Sequence, residues 1–138
     1  MSAEIALVLR SEEDIQSLAA AVDELADAHA LTPQAVTALN LVLEELVTSA
    51  FMDGVGPEAG TVQVRATADG DSVHGEVRDD GRPFDPLSRG SPEVELALED
   101  REIGGLGIPM VRSMARDLSY AREGEENVMR FALDVGTA

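Results

Sequence analysis

The 138-residue chain contains no cysteine, no tryptophan and no lysine. Without cysteine there are no disulfides and no thiolate metal sites, which fits a reducing cytoplasm. With three Phe, one Tyr and no Trp, the interior must be packed from Leu, Val, Ile and Ala. The two histidines, His29 and His74, lack a second His or an Asp/Glu motif at metal-ligand spacing, so both read as ordinary surface or turn residues. All ten basic residues are arginine, set against 27 acidic ones for a net charge of -17. Such a surface repels phosphate backbones, and no direct nucleic-acid partner is expected. The charge serves solubility first; an acidic face that docks a basic protein is the sharper alternative. No apolar run approaches the roughly 18 residues of a membrane span. The N-terminal MSAEIALVLRSEEDI lacks the basic start and long apolar stretch of a signal peptide. A cytoplasmic protein without membrane contact is the expectation.

What is present is a 44% apolar composition, enough for one domain over residues 1–138 that buries roughly two-thirds of its unfolded surface. Ile5, Leu7 and Leu9 alternate in a first strand, Glu4 to Leu9. Ser11 and Asp14 resemble a capping box, opening a helix with Ile15, Leu18, Val22 and Leu25 on one stripe. Thr32 caps a second helix with Pro33 at its first position. Its apolar side is Val36, Leu39, Leu43, Leu46, Val47 and Ala50, and Gly54 and Gly56 end it. Strands follow at about 61–68 and 72–79, joined at Asp69-Gly70. Residues 81–107 are rich in Gly, Pro and charge, with a short helix predicted from Ser91 and Pro92; loops of that length are usually functional. Ile108 to Ala115 reads as a helix, and strands at 118–122 and 127–135 flank a Glu123-Gly124 turn. Helices first and mostly antiparallel strands after them predict an α+β fold, a two-layer sandwich with a mixed, mostly antiparallel sheet and helices on one face.

Three short stretches carry candidate chemistry. Glu45 and Ser49 lie one turn apart on the second helix, although Glu44-Glu45 taken alone fits a solvated helix face. Asp79-Asp80-Gly81-Arg82-Pro83-Phe84-Asp85-Pro86 follows an aliphatic strand. A partly buried Asp79 carboxylate needs donors, which an exocyclic adenine amine supplies, and Gly81 lets the backbone approach a flat ring. Taken alone, the same residues fit plain turn chemistry. Gly104-Gly105-Leu106-Gly107 precedes a helix, so it either presents backbone N–H groups to an anion or forms a hinge. It is neither a Walker loop nor a dinucleotide fingerprint.

In this order and on these elements, the three stretches resemble the GHKL or Bergerat ATP-binding fold, and within it the anti-sigma-factor serine kinases of bacterial partner-switching systems. The resemblance covers nearly the whole chain, and the run Arg82 to Pro86 is typical of that branch. It implies ATP between helices and sheet, under a lid formed by about residues 82–103. It assigns Asp79, with Gly81, to adenine and Gly104, Gly105 and Gly107 to phosphates. Glu45 becomes the general base for transfer to a serine of an antagonist protein. Arg101 is either a phosphate partner or a solvated lid residue. Implied partners are a sigma factor and its antagonist, and a homodimer is among the implied assemblies. Ser49 departs from the pattern, because the family has a magnesium-binding asparagine there. A serine hydroxyl reaches about one bond less far than an asparagine carbonyl, so magnesium contact through a water, or none, is expected. The sequence therefore leaves two readings: a serine kinase, or a catalytically weak binding module that sequesters a sigma factor or another regulator.

Overall fold

Alternation sets the layers. The computed structural model describes residues 4–55, 60–88 and 107–134, with five strands: β1 (Glu4–Leu9), β2 (Val62–Asp69), β3 (Ser72–Asp79), β4 (Arg116–Glu123) and β5 (Glu126–Asp134). They form one sheet in the order β1-β2-β3-β5-β4, antiparallel at every pairing. The expected α+β sandwich is therefore present, with no parallel pair among the described strands. The register pairs Val64 with Val77 and Val77 with Met129, so one continuous apolar face crosses the sheet. Ile5, Leu9, Val62, Val73, Phe131 and Leu133 complete it, all buried.

Three helices among the described residues cover that face: α1 (Gln16–His29), α2 (Pro33–Ser49) and α3 (Gly107–Met114). Leu18, Val22 and Leu25 of α1 are buried at helical spacing, as the sequence stripe predicts. The entry to α1 differs from the predicted capping box. Ser11 makes no side-chain cap; instead Asp14 Oδ2 accepts from the Arg10 N–H at 2.8 Å. A 3-10 turn over Glu12–Ile15 tightens this entry, which moves the reciprocal bond one residue earlier. Thr32 does cap α2, its hydroxyl accepting from the Ala35 N–H at 3.2 Å with Pro33 at the first position.

From Ala50 to Val55 the α2 chain continues as a π-helical segment, so Ser49 is its last α-helical residue. By length and composition, Pro33–Met52 is long and apolar enough to cross a membrane, which counting unbroken apolar runs does not detect. Here Leu39, Val42, Leu43, Leu46 and Val47 are buried in the core, so its apolarity is that of a core helix.

Both late hairpins turn one residue beyond the predicted positions. Asp69 pairs with Ser72 and Glu123 with Glu126, leaving Gly70-Asp71 and Gly124-Glu125 as the two-residue loops. Each loop opens with a positive-φ glycine, the II′ pattern, and this glycine rather than the acidic residue before it fixes the register. Gly75 answers a different need. A Cβ there would overlap the Phe131 ring, which crosses the glycine on the neighbouring strand. Gly75→Ala should lower stability by about 1–3 kcal/mol through overpacking. In urea titrations that cost should shrink in a Phe131→Leu background; equal cost in both backgrounds would mean that the ring is not the obstacle.

Candidate functional site

Asp79 is the last residue of β3, in the inward register of Val73 and Val77, and is 7% exposed. A carboxylate in that position must be given donors. Two of them converge on one oxygen: Asp79 Oδ1 accepts from the Gly81 N–H at 2.9 Å and from Asn127 Nδ2 at 2.9 Å. The first bond is an Asx turn, so turn chemistry and ligand chemistry share this residue rather than competing for it. Asp79 Oδ2 accepts from no protein donor among the described residues. It is left to take a hydrogen bond from outside.

Asn127 is 3% exposed, opposite Asp79 in the register. Its Nδ2 donates to Asp79 Oδ1 and, at 2.7 Å, to the Arg82 carbonyl. Its Oδ1 accepts from the Phe84 N–H at 3.1 Å, the Tyr120 hydroxyl at 2.6 Å and Arg122 Nη1 at 3.2 Å. Acceptors lie on one side and donors on the other, so only one orientation of the amide fits, and both its hydrogens are engaged. Arg122 Nη1 also donates to the Gly81 carbonyl at 2.8 Å. Farther along, Arg112 of α3 donates to the Leu87 carbonyl at 2.9 Å, and Asp85 Oδ1 accepts from the Leu87 N–H. Residues 81–88, where the lid was expected to begin, are thus stapled to β4, β5 and α3, with Pro86 buried.

The sequence singled out Asp79 and Gly81 but not Asn127, Tyr120, Arg122 or Arg112. The available signal was an asparagine at the head of the inward series Asn127, Met129, Phe131, Leu133. A polar residue in an apolar register needs a partner.

On α2, Glu45 is partly buried while Glu44 beside it is exposed. A Cβ on Gly107 would collide with the Glu45 carboxylate, so the structure brings the base candidate to the first residue of α3. Glu45 thus leaves the solvated face that its neighbour occupies. Burial, with the Glu44 charge adding to it, pushes its carboxyl above the ordinary range. Ser49 is partly buried one turn along the same helix. Gly104, Gly105 and Arg101 lie outside the described residues, as do Gly56, the Ser91-Pro92 helix and the remainder of the expected lid.

Burial also raises the Asp79 carboxyl. The bonds from Asn127 and Gly81 offset this only in part, and the Asp80 charge adds to it. The folded chain therefore holds this proton to higher pH than the unfolded chain. The resulting stability is full below the ordinary value of 3.8 and is lost as pH rises through the folded pKa. Asp79→Asn keeps an oxygen for both donors and lacks the titration. Its stability in urea should gain on the wild type as pH rises over the range above the ordinary value of 3.8. A difference that stays flat over that range would mean that the carboxyl is not raised.

Residues 9–133 match the histidine kinase-like ATPase domain family. The chain is similar to the serine/threonine-protein kinase BtrW of Bordetella bronchiseptica, with 34% identity over 80 residues, 58% of this chain and 54% of that protein. The alignment thus spans about half the length of that relative. In backbone, the Acinetobacter baumannii histidine kinase AdeS matches with a TM-score of 0.51 at 12% identity, over 96% of this chain and 68% of that one. That likeness is one of fold. With the inward carboxylate at the end of β3 and the Glu45–Gly107 contact in place, the match over 9–133 settles the family: the chain belongs to the histidine kinase-like ATPase domains, for which ATP is the implied ligand.

Proposed function

We propose that this chain is an ATP-binding regulator of the anti-sigma type that transfers phosphate to a serine of a small antagonist protein. The observation that carries this reading is the buried Asp79 carboxylate, held at Oδ1 and without a donor at Oδ2 among the described residues. The 6-amino group of adenine satisfies that oxygen, whereas guanine carries a carbonyl at the same ring position. The BtrW relative supports the serine/threonine kinase chemistry. Glu45 supports it too, because a carboxyl raised by burial accepts a hydroxyl proton more readily. The same reading gives a sigma factor or its antagonist as partner, in a cytoplasmic setting away from membranes. A net charge of -17 disfavours direct contact with nucleic acid. Self-association as a homodimer belongs to the same reading.

Magnesium supplies charge neutralisation when it is bound to transferring phosphates. Ser49 offers it one hydroxyl oxygen at the end of α2, and no group of three or more His, Asp or Glu residues suited to a metal occurs among the described residues. Retention of the ion then rests on phosphate oxygens and water. Ser49 is the specific observation that favours a second reading, a nucleotide-sensing module that sequesters its partner without phosphorylating it.

Calorimetric titration separates the readings. Wild type should bind ADP, and Asp79→Asn should weaken it by about 10- to 100-fold, the worth of a hydrogen bond to a charged acceptor. Undiminished affinity removes the adenine assignment. ATP titrated with magnesium and then with EDTA should show a stronger metal dependence in Ser49→Asn than in wild type. If wild type is already fully magnesium-dependent, Ser49 has not impaired the site, and the kinase reading gains over the sequestering one. Glu45→Gln should cut phosphoryl transfer about a hundredfold while leaving ADP affinity nearly unchanged.

A further inference from the structure

Asn127 touches more of the site than any other described side chain, and both of its amide hydrogens are used within the protein. It therefore has no donor left with which to read a base. What it does instead is join two things: the carboxylate oxygen of Asp79 and the backbone of Arg82 and Phe84. Its oxygen is pinned in turn by Tyr120 and Arg122 from β4, and Arg122 reaches across to the Gly81 carbonyl. One buried amide thus fixes the side chain that would meet adenine and the start of the segment that leads toward the phosphate-side glycines.

We propose that Asn127 is a positioning residue that couples occupancy of Asp79 to closure of residues 81–88. The inference rests on the ATP-binding reading above and adds to it a route by which base recognition reaches the segment after β3. The physical reason is linkage. Opening the segment at Arg82 and Phe84 breaks two of the five bonds that orient the amide. A loosened amide lets Asp79 rotate away from its ligand-ready position. A ligand that holds Asp79 therefore favours the state in which the segment is docked, and by reciprocity the docked segment tightens the ligand. Arg112 extends the route, because it bonds the Leu87 carbonyl from α3, the helix whose first residue abuts Glu45.

Amide exchange followed by NMR on the full chain, with and without saturating ADP, tests the coupling. In wild type, ADP should slow exchange at Gly81, Phe84 and Leu87 by about tenfold, a typical coupling between sites. In Asn127→Leu, ADP should bind more weakly and those amides should no longer respond when the site is saturated. Should that variant fail to fold, Tyr120→Phe removes one donor to the amide oxygen and should reduce both affinity and response severalfold. A folded Asn127→Leu with undiminished ADP affinity, or with the wild-type slowing at saturation, overturns the coupling and leaves the ATP reading intact. So does a Tyr120→Phe protein indistinguishable from wild type in both measurements. Absence of ADP binding by wild type removes the ATP reading and the coupling together, so the two failures are told apart by the first titration.

Discussion

A carboxylate that ends a strand of buried valines cannot be left to water, and the organisation of the site follows from that constraint. Asp79 lies in the register of Val73 and Val77, and so faces the helical layer rather than solvent. Its burial is tolerable because β5 places an asparagine directly opposite and the chain doubles back through Gly81. Once Asn127 is committed to Asp79, its remaining hydrogen and its oxygen need partners as well. Those partners are supplied by Arg82, Phe84, Tyr120 and Arg122, which brings the turn after β3 and the edge strand β4 to one point. A single buried charge thereby joins the end of β3 and the turn after it to the β4–β5 hairpin, far along the chain.

The two faces of the sheet deal with polarity in opposite ways. Toward the helices, polar groups are rare, and Asp79 and Asn127 are held by each other and by the chain around them. On the outer face, Glu76 lies between Arg78 at 2.6 Å and Arg130 at 3.0 Å, and Glu123 also bonds both arginines. These pairs are partly or largely exposed, where each contributes little alone and a network contributes more than its separate pairs. A groove of about 470 Å³ runs over this face between Arg65, His74, Ser119 and Arg130. None of the described residues that the sequence marks for nucleotide chemistry lines it.

Much of the fold was legible because its signals are periodic. The alternation in β1 and the 3.6-residue stripes of α1 and α2 depend on local sequence, and the Thr32-Pro33 start of α2 is a local cap. The turns were displaced by one residue because Asp-Gly suggests a centre between the two, while the cross-strand pairing makes glycine the first loop residue. The site was legible where it is carried by a short run, as at Asp79-Asp80-Gly81 and Glu44-Glu45. Asn127 was not, because its role is decided by pairing with a strand 48 positions away. Its place in an apolar register marks it as needing a partner, but the linear pattern does not name that partner. The anchoring of residues 81–88 escaped for the same reason, since Arg122 and Arg112 act on backbone carbonyls, which carry no sequence signature.

The contact between Glu45 and Gly107 gives the last glycine of its box a second duty. Glycines there are usually explained by the bare N–H groups that they offer an anion. Here the missing Cβ also makes room for a carboxylate from another helix. The two positions consequently share one volume, and neither can grow unless the other shrinks. Among descendants of this chain, alanine or serine at 107 would be found with a shorter side chain at 45, a correlated exchange that would move or remove the carboxylate while α2 and α3 kept their approach.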